Sequence, residues 1–317
     1  MKHLHLIPAD ISLDFIGKKL IFFAFSVILI ASSIGLFSVN GLNYGIDFKG
    51  GIMMEVRTKD GPADIAQFRS QLSGLGLGEV SIQEFGEPEE VLIRIQRQDG
   101  GEQAQQTAVE AVKSVLKDTV EYRRTEFVGP KVSEELFMDG LMAVSLAIGA
   151  ILIYIWFRFE WQFGMGAVIA LVHDVISTIG IFALLGMEFN LSTVAAVLTI
   201  AGYSINDTVV VYDRVRENLR KYKKMDLAEV LNNSVNETLS RTIMTSVTTM
   251  LALLALYILG GEVIRGFSFA MIWGILIGTY SSICLAVPIL TYFTLRRSDD
   301  EDEESDIEKI VEEEGAV

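Results

Sequence analysis

The sequence predicts an α-helical polytopic membrane protein with six transmembrane helices and one α+β domain in water between the first and second. Three observations carry that expectation. Half of the 317 residues are hydrophobic, and the mean hydropathy of +0.40 exceeds that of ordinary soluble domains. Six apolar runs approach or exceed the roughly 20 residues that a bilayer demands. Residues 40–138, between the first two runs, alternate instead between strand and helix periods.

The first run, Leu20–Val39, follows a cytoplasmic N-terminus of residues 1–19. It is longer than the roughly 7–15 residues of a signal-peptide core, and Ser38-Val39-Asn40-Gly41 lacks a small-x-small cleavage site. An uncleaved span is therefore expected. The others are Gly140–Phe157, Phe163–Leu185, Leu191–Tyr212, Thr242–Leu259 and Phe267–Leu295, within residues 139–295. The last is long enough to need tilt or a ragged end. Basic residues set the orientation. Lys18 and Lys19 precede the first span, Arg158 separates the second from the third, and Arg296 and Arg297 follow the sixth. Arg214, Arg216, Arg220, Lys221, Lys223 and Lys224 lie between the fourth and fifth. With six spans all of these share one side. Both termini are thus expected in the cytoplasm, with residues 40–138 outside, in the periplasm if the cell is Gram-negative.

That domain has a readable order. Tyr44–Thr58 predicts a strand, with Ile46, Phe48, Ile52, Met54 and Val56 at period two. Pro62–Leu75 predicts a helix with Ile65, Phe68 and Leu72 on one face. Glu79–Phe85 and Val91–Arg97 predict two strands around the turn Gly86-Glu87-Pro88. Glu102–Leu116 predicts a helix with Ala108, Val109, Val112 and Leu116 inward, and Thr119–Phe127 a last strand. The order β-α-β-β-α-β is that of a ferredoxin-like split βαβ.

Residues 226–240 predict an amphipathic helix in the cytoplasm, lying on the membrane or against the bundle, with Leu227, Val230, Leu231, Val235 and Leu239 as its apolar face. Asn232, Asn233 and Asn236 make it more polar than a lipid anchor. The tail, residues 296–317, holds eleven acids from Asp299 to Glu314 against one lysine, Lys309, and so is expected to be solvated and disordered. It accounts for most of the formal net charge of −15. Nothing in the charge pattern points to nucleic acid. The single cysteine, Cys284, sits in an apolar run and permits no intramolecular disulfide.

Ionisable residues inside spans are costly and are the first candidates for function. In the fourth span Thr199, Tyr203 and Asn206 recur at helical spacing beside Asp207, and predict one polar flank. Taking Asp207 out of water favours its neutral form, while a nearby cation favours its charged form. A group held between those pulls can carry a proton. Arg241, at the entrance of the fifth span, is the candidate counter-charge; it shares a face with Thr245, Thr248 and Thr249. In the third span His173 and Asp174 point about 100° apart and need not pair with each other, though one can face the fourth span. Gly274, Gly278 and Ser282 repeat every four positions in the sixth span, which permits close helix packing without naming a partner. No metal or cofactor site is expected, since the spans offer no second histidine and no clustered thiols. Nor is an enzyme, since no nucleophile–base pair or phosphate loop is present.

The run Gly202-Tyr203-Ser204-Ile205-Asn206-Asp207-Thr208-Val209-Val210-Val211-Tyr212-Asp213-Arg214 resembles the fourth-span signature of the SecD/SecF family, in its SecF branch. Gly45-Ile46-Asp47-Phe48-Lys49-Gly50-Gly51 is similar to that family's Gly-x-Asp-x-x-Gly-Gly. His173-Asp174-Val175 and Ser240-Arg241-Thr242-Ile243-Met244-Thr245-Ser246 resemble its third-span and fifth-span motifs. The resemblance covers nearly the whole chain, apart from the acidic tail. It implies an accessory subunit of the bacterial Sec preprotein translocase, of the resistance-nodulation-division type. SecD would be its heterodimer partner and SecYEG the channel beside it, with SecA and YidC/YajC as further contacts. The proton motive force would drive preprotein across after the ATP-dependent SecA step. Asp207 would be the relay carboxylate and Arg241 its partner, with Asn206, Tyr203, Thr199, His173, Asp174 and Thr245 in support. Gly45, Asp47, Gly50 and Gly51 would form a hinge to the outer domain, with Asp47 outside the proton path. Two rival readings are a proton-coupled small-molecule exporter half of the same superfamily and a membrane receptor or scaffold. A scaffold would tolerate Asp207→Asn; a proton-driven machine would not.

Overall fold

The computed structural model describes residues 12–295, and within them six helices are long and apolar enough to cross a membrane. These are α1 (Lys19–Asn40), α5 (Pro130–Arg158), α6 (Trp161–Leu185), α7 (Leu191–Lys221), α8 (Leu227–Leu259) and α9 (Glu262–Ser281), the last prolonged to Tyr292 through irregular turns. Between α1 and α5 come β1 (Asn43–Tyr44), α2 (Ile46–Lys49), β2 (Gly51–Thr58), α3 (Ile65–Ser73), β3 (Val80–Phe85), β4 (Glu87–Ile95), α4 (Gly101–Leu116) and β5 (Val120–Val128). A short β6 (Glu188–Phe189) joins α6 to α7. The acidic tail lies outside the described residues.

The four strands β2 to β5 form one antiparallel sheet in the order β3-β4-β2-β5. Alternation along β2 sends Ile52, Met54 and Val56 to one face, where all three are fully buried. α3 and α4 cover that face with Phe68, Leu72, Ala108, Val112 and Leu116. Asp64 caps α3, its side chain accepting from the Gln67 amide, so the helix starts after Pro62 rather than on it.

Three sequence expectations are corrected. The strand expected over Tyr44–Thr58 is interrupted by α2, and Gly50 and Gly51 reset the chain before β2. Gly51 sits at φ 127°, in glycine territory, and a Cβ there would lie 2.6 Å from the Ile95 carbonyl oxygen. The period-two pattern is real, but its first part packs a helical turn. Phe48 on that turn lies 5.9 Å from Phe137 and 6.2 Å from Tyr44, ring to ring.

The second correction concerns residues 226–240. They do not form a separate helix but the first turns of α8, continuous with the fifth span, and of the two positions expected they take the one against the bundle. Asp226 caps that helix. The apolar face Val230, Leu231, Val235 and Leu239 packs on Val211, Val215 and Leu219 of α7, making a helical hairpin beyond the spans. The asparagines have a use there. Asn236 Oδ1 accepts from the Leu13 amide at 2.8 Å and Asn232 Oδ1 from the Phe15 amide at 2.9 Å. Both amide groups also donate to the Leu13 carbonyl. Two side chains thus bind the N-terminal segment as a neighbouring strand would, and Ile16 is buried behind it.

Third, α5 begins at Pro130, ten residues before the expected apolar run, with proline in the first turn where its missing N–H costs nothing.

Candidate functional site

α7 gathers the polar residues of the bundle. Its outer end is fixed by a capping box: Asn190 accepts from the Thr193 amide at 3.1 Å. Asp47 adds a second acceptor, taking the Leu191 amide at 2.9 Å from far away in sequence. One buried column of α7, Ile200, Ser204 and Thr208, faces Gly274, Gly278 and Ser282 of the last span, residue for residue. A Cβ on Gly274 would collide with Ile200, and one on Gly278 would lie 3.3 Å from Ser204 Cβ. Thr208 Oγ1 and Ser282 Oγ share a hydrogen bond of 2.8 Å. The small-residue stripe therefore has a partner, and it is α7.

At Ser282 the last helix widens into a π-helical turn, Ser282–Ala286. The Tyr212 hydroxyl donates to the Ala286 carbonyl at 3.0 Å. Gly166 of α6 makes room for that ring, since a Cβ there would strike the hydroxyl. A π-turn leaves the i→i−4 ladder one residue out of step, and side chains from neighbouring helices complete it.

Asp174 is fully enclosed, with 0% exposure. Its Oδ2 accepts from Ser204 Oγ of α7 at 2.6 Å and from Ser281 Oγ of α9 at 2.7 Å. Its Oδ1 lies 3.0 Å from His173 Nδ1. The neighbours His173 and Asp174 do pair, and Asp174 is the one of the two that faces the fourth span. Three helices thus meet on one carboxylate. His173 Nε2 is buried without a partner among the described residues, and its ring lies 5.9 Å from that of Tyr280.

Asp207 is 4% exposed, on the α7 face that turns toward α8. Its Oδ2 accepts no hydrogen bond from any described residue. The charge of Arg241 acts on it, without a direct ion pair among the described residues. Either a proton on the carboxyl or an approach of the guanidinium would satisfy that oxygen. Tyr203 OH and Thr242 Oγ1 are likewise buried without partners.

The expected polar flank of α7 splits in two. Asp207 points into the chain, while Thr199 and Asn206 are exposed, together with Arg241, Thr245 and Thr248 of α8. Thr199 and Thr245 return their hydroxyls to carbonyls of their own helices. Adjacent helical residues diverge by about 100°, so Asn206 and Asp207 cannot share a face.

The glycine-rich segment after α1 is tied to the α6–α7 connection. Asn43 and Tyr44 of β1 pair in parallel with Glu188 and Phe189 of β6, and the Gly45 amide donates to the Phe189 carbonyl at 3.0 Å. Arg94 of β4 forms an ion pair with Glu188. Sequence reading passed over Ser281, Asn190 and the capping role of Asp47. The pair Ser281-Ser282 in an apolar span was the available signal for the first; no local signal joins Asp47 to Leu191.

Residues 107–296 match the family described as protein export membrane protein SecD/SecF, C-terminal, and residues 35–61 match the SecD/SecF GG motif. A protein translocase subunit SecF of Rickettsia rickettsii (strain Sheila Smith) is 48% identical, over 93% of this chain and 96% of its own. One from Cereibacter sphaeroides is 48% identical, over 93% of each chain. The crystal structure of SecDF, a translocon-associated membrane protein from Thermus thermophilus, superposes with a TM-score of 0.82 at 37% identity. The match covers 90% of this chain and 39% of that one, so this chain spans about two fifths of SecDF.

Proposed function

The chain belongs to the SecD/SecF family of protein export membrane proteins, and from that premise we propose that it is the SecF-type subunit of a Sec preprotein translocase. SecD is its partner, supplying the other half of a SecDF-like unit. The outward polar faces of α7 and α8 favour this. Thr199, Asn206, Arg241, Thr245 and Thr248 are exposed at positions where lipid would face them, and a second helical bundle is the cheaper neighbour for such groups. The SecYEG channel would work beside the pair, with SecA acting earlier and YidC/YajC as further contacts. The basic ends of the spans favour an orientation with both termini in the cytoplasm of an inner-membrane protein. The β2–β5 domain, whose strand order fits a ferredoxin-like split βαβ, would then stand in the periplasm.

The observation that carries the mechanism is the buried Asp207 Oδ2, which has no hydrogen-bond partner among the described residues. Two arrangements satisfy it: a proton, or Arg241 drawn into contact. Alternation between them would shift α7 against α8, and Asp47 and β1–β6 would pass that shift to the outer domain, with Gly45, Gly50 and Gly51 taking up the backbone change. Asp174, bonded on three sides, would hold α7 to α6 and α9 and keep the movement on the α8 side. One proton crossing about 100 mV supplies about 2.3 kcal/mol, so several are needed for a large stroke.

Asp207→Asn tests this. The variant is checked for assembly with SecD, then assayed for preprotein translocation into vesicles with and without an imposed proton gradient. The expected result is loss of the gradient's stimulation with ATP-driven translocation kept. A wild-type response to the gradient would remove Asp207 from the proton path.

A further inference from the structure

We propose that the acidic segment of residues 299–314 docks on a basic pocket at the C-terminal end of α7. The pocket, of about 580 Å³, is lined by Arg158, Asp213, Arg216, Glu217, Arg220 and Lys221. Its two acids already have partners. Asp213 takes Arg158 at 2.6 Å, and Glu217 takes Arg214 at 2.6 Å. Arg216 and Arg220 have no carboxylate partner among the described residues. Arg216 lies 5.8 Å from the centre of the Phe159 ring, and Lys221 4.8 Å from that of Tyr222. Stacking on an aromatic face leaves the guanidinium donors of Arg216 unused, and Lys221, bonded to Tyr222, keeps further ammonium donors. The pocket therefore offers forked donors and uncompensated positive charge, the chemistry that takes carboxylates.

The chain itself supplies the occupant at the right place. Where the described residues end, Thr294 accepts from Gln162 Nε2 at 3.1 Å, and Phe293 packs on Trp161 at 5.4 Å. Leu295 is buried there. The tail thus departs from the α5–α6 corner, the corner whose other side carries Arg158. Asp299 is four residues beyond Leu295, a reach of up to about 14 Å in extended chain. From there six acids run without a break, Asp299-Asp300-Glu301-Asp302-Glu303-Glu304. Arg296 and Arg297 precede them and oppose the attraction close to the exit, so the contact belongs to the acids further on. Covalent tethering makes the local concentration of this anion far higher than that of one in solution. The contact would join the end of the last span to α7, the helix that bears Asp207, and it stands whether or not Asp207 carries protons.

The experiment uses the full chain assembled with SecD in nanodiscs of neutral phosphatidylcholine, with a photo-crosslinking residue in place of Glu303. Crosslinks are mapped by mass spectrometry. Docking predicts crosslinks to residues 213–221 that fall about tenfold from about 0.01 M to about 1 M salt, as the screening length drops from about 30 Å to about 3 Å. Reversing the pocket with Arg216→Glu, Arg220→Glu and Lys221→Glu should abolish them. Adding lysines at 299–302 and 304, around the crosslinker, should restore them, which separates a lost contact from a damaged fold. Crosslinks that survive reversal, or fail to return with the swapped tail, overturn the proposal. So does a tail that never crosslinks to the pocket while the pocket retains added phosphatidylglycerol, since the site would then belong to an anionic lipid.

Discussion

Truncation of Asp174 to alanine removes the acceptor on which Ser204, Ser281 and His173 converge, at 0% exposure. Hydrogen bonds between membrane helices average only about 0.6 kcal/mol each, which puts the three together at about 2 kcal/mol. Leaving those buried donors without an acceptor adds a desolvation penalty of about 1–3 kcal/mol. A loss of about 3–5 kcal/mol is therefore expected for Asp174→Ala. Asparagine is different. Its carbonyl oxygen can take both serine hydroxyls, and its amide can donate to His173 Nδ1 if the imidazole carries its proton on Nε2. Asp174→Asn should cost under about 1 kcal/mol, within the range of a well-replaced hydrogen-bonding group. The assay is the thermal midpoint of the purified complex with SecD, followed by fluorescence-detected size exclusion. An asparagine variant as unstable as the alanine variant would refute the reasoning: the cluster would then depend on negative charge, and His173 would be its cation.

Two further perturbations test the packing. Gly278→Val places a branched side chain where a bare Cβ already lies 3.3 Å from Ser204 and 3.6 Å from Asp174. It should separate α7 from the last span and cost about 1–3 kcal/mol as overpacking, read as a lowered thermal midpoint, with Gly278→Ala much milder. Asn232→Ala with Asn236→Ala removes the bonds that hold Leu13 and Phe15, at about 1 kcal/mol per bond. Limited proteolysis should then cut ahead of α1 several-fold faster, with the spans intact.

How much of this was legible depended on whether the cause was local. Hydropathy located six spans because a span must be apolar along its whole length. The core faces of α3 and α4 were legible for a similar reason: Phe68, Leu72, Val112 and Leu116 repeat at helical spacing. Asp207 and Arg241 stood out because charge in a span is rare. What failed was tertiary. The alternation from Tyr44 onward hid α2, whose boundaries are set by Gly50 and by contacts with Phe137 and Phe189. The polar helix at 226–240 left the membrane surface and the bundle both open, since nothing local shows that Asn232 and Asn236 would meet a segment more than 200 residues earlier. Nor does anything local join Ser204 to Asp174 of another helix.

Attachment of the β2–β5 domain to the bundle has a mechanical consequence. The chain enters from α1 and leaves into α5, and two points of attachment define an axle about which a rigid body can swing. Arg94–Glu188 and the Asp47 cap on α7 add a further foothold, on the α6–α7 connection. A body standing on three feet does not swing; it moves only as the feet move, or after one lets go. The Asp47 contact rests on the first residue of α7, the helix that carries Asp207, so under the proposed function a step by α7 would tilt the domain, and loss of the Arg94–Glu188 pair would free one of the two extra contacts.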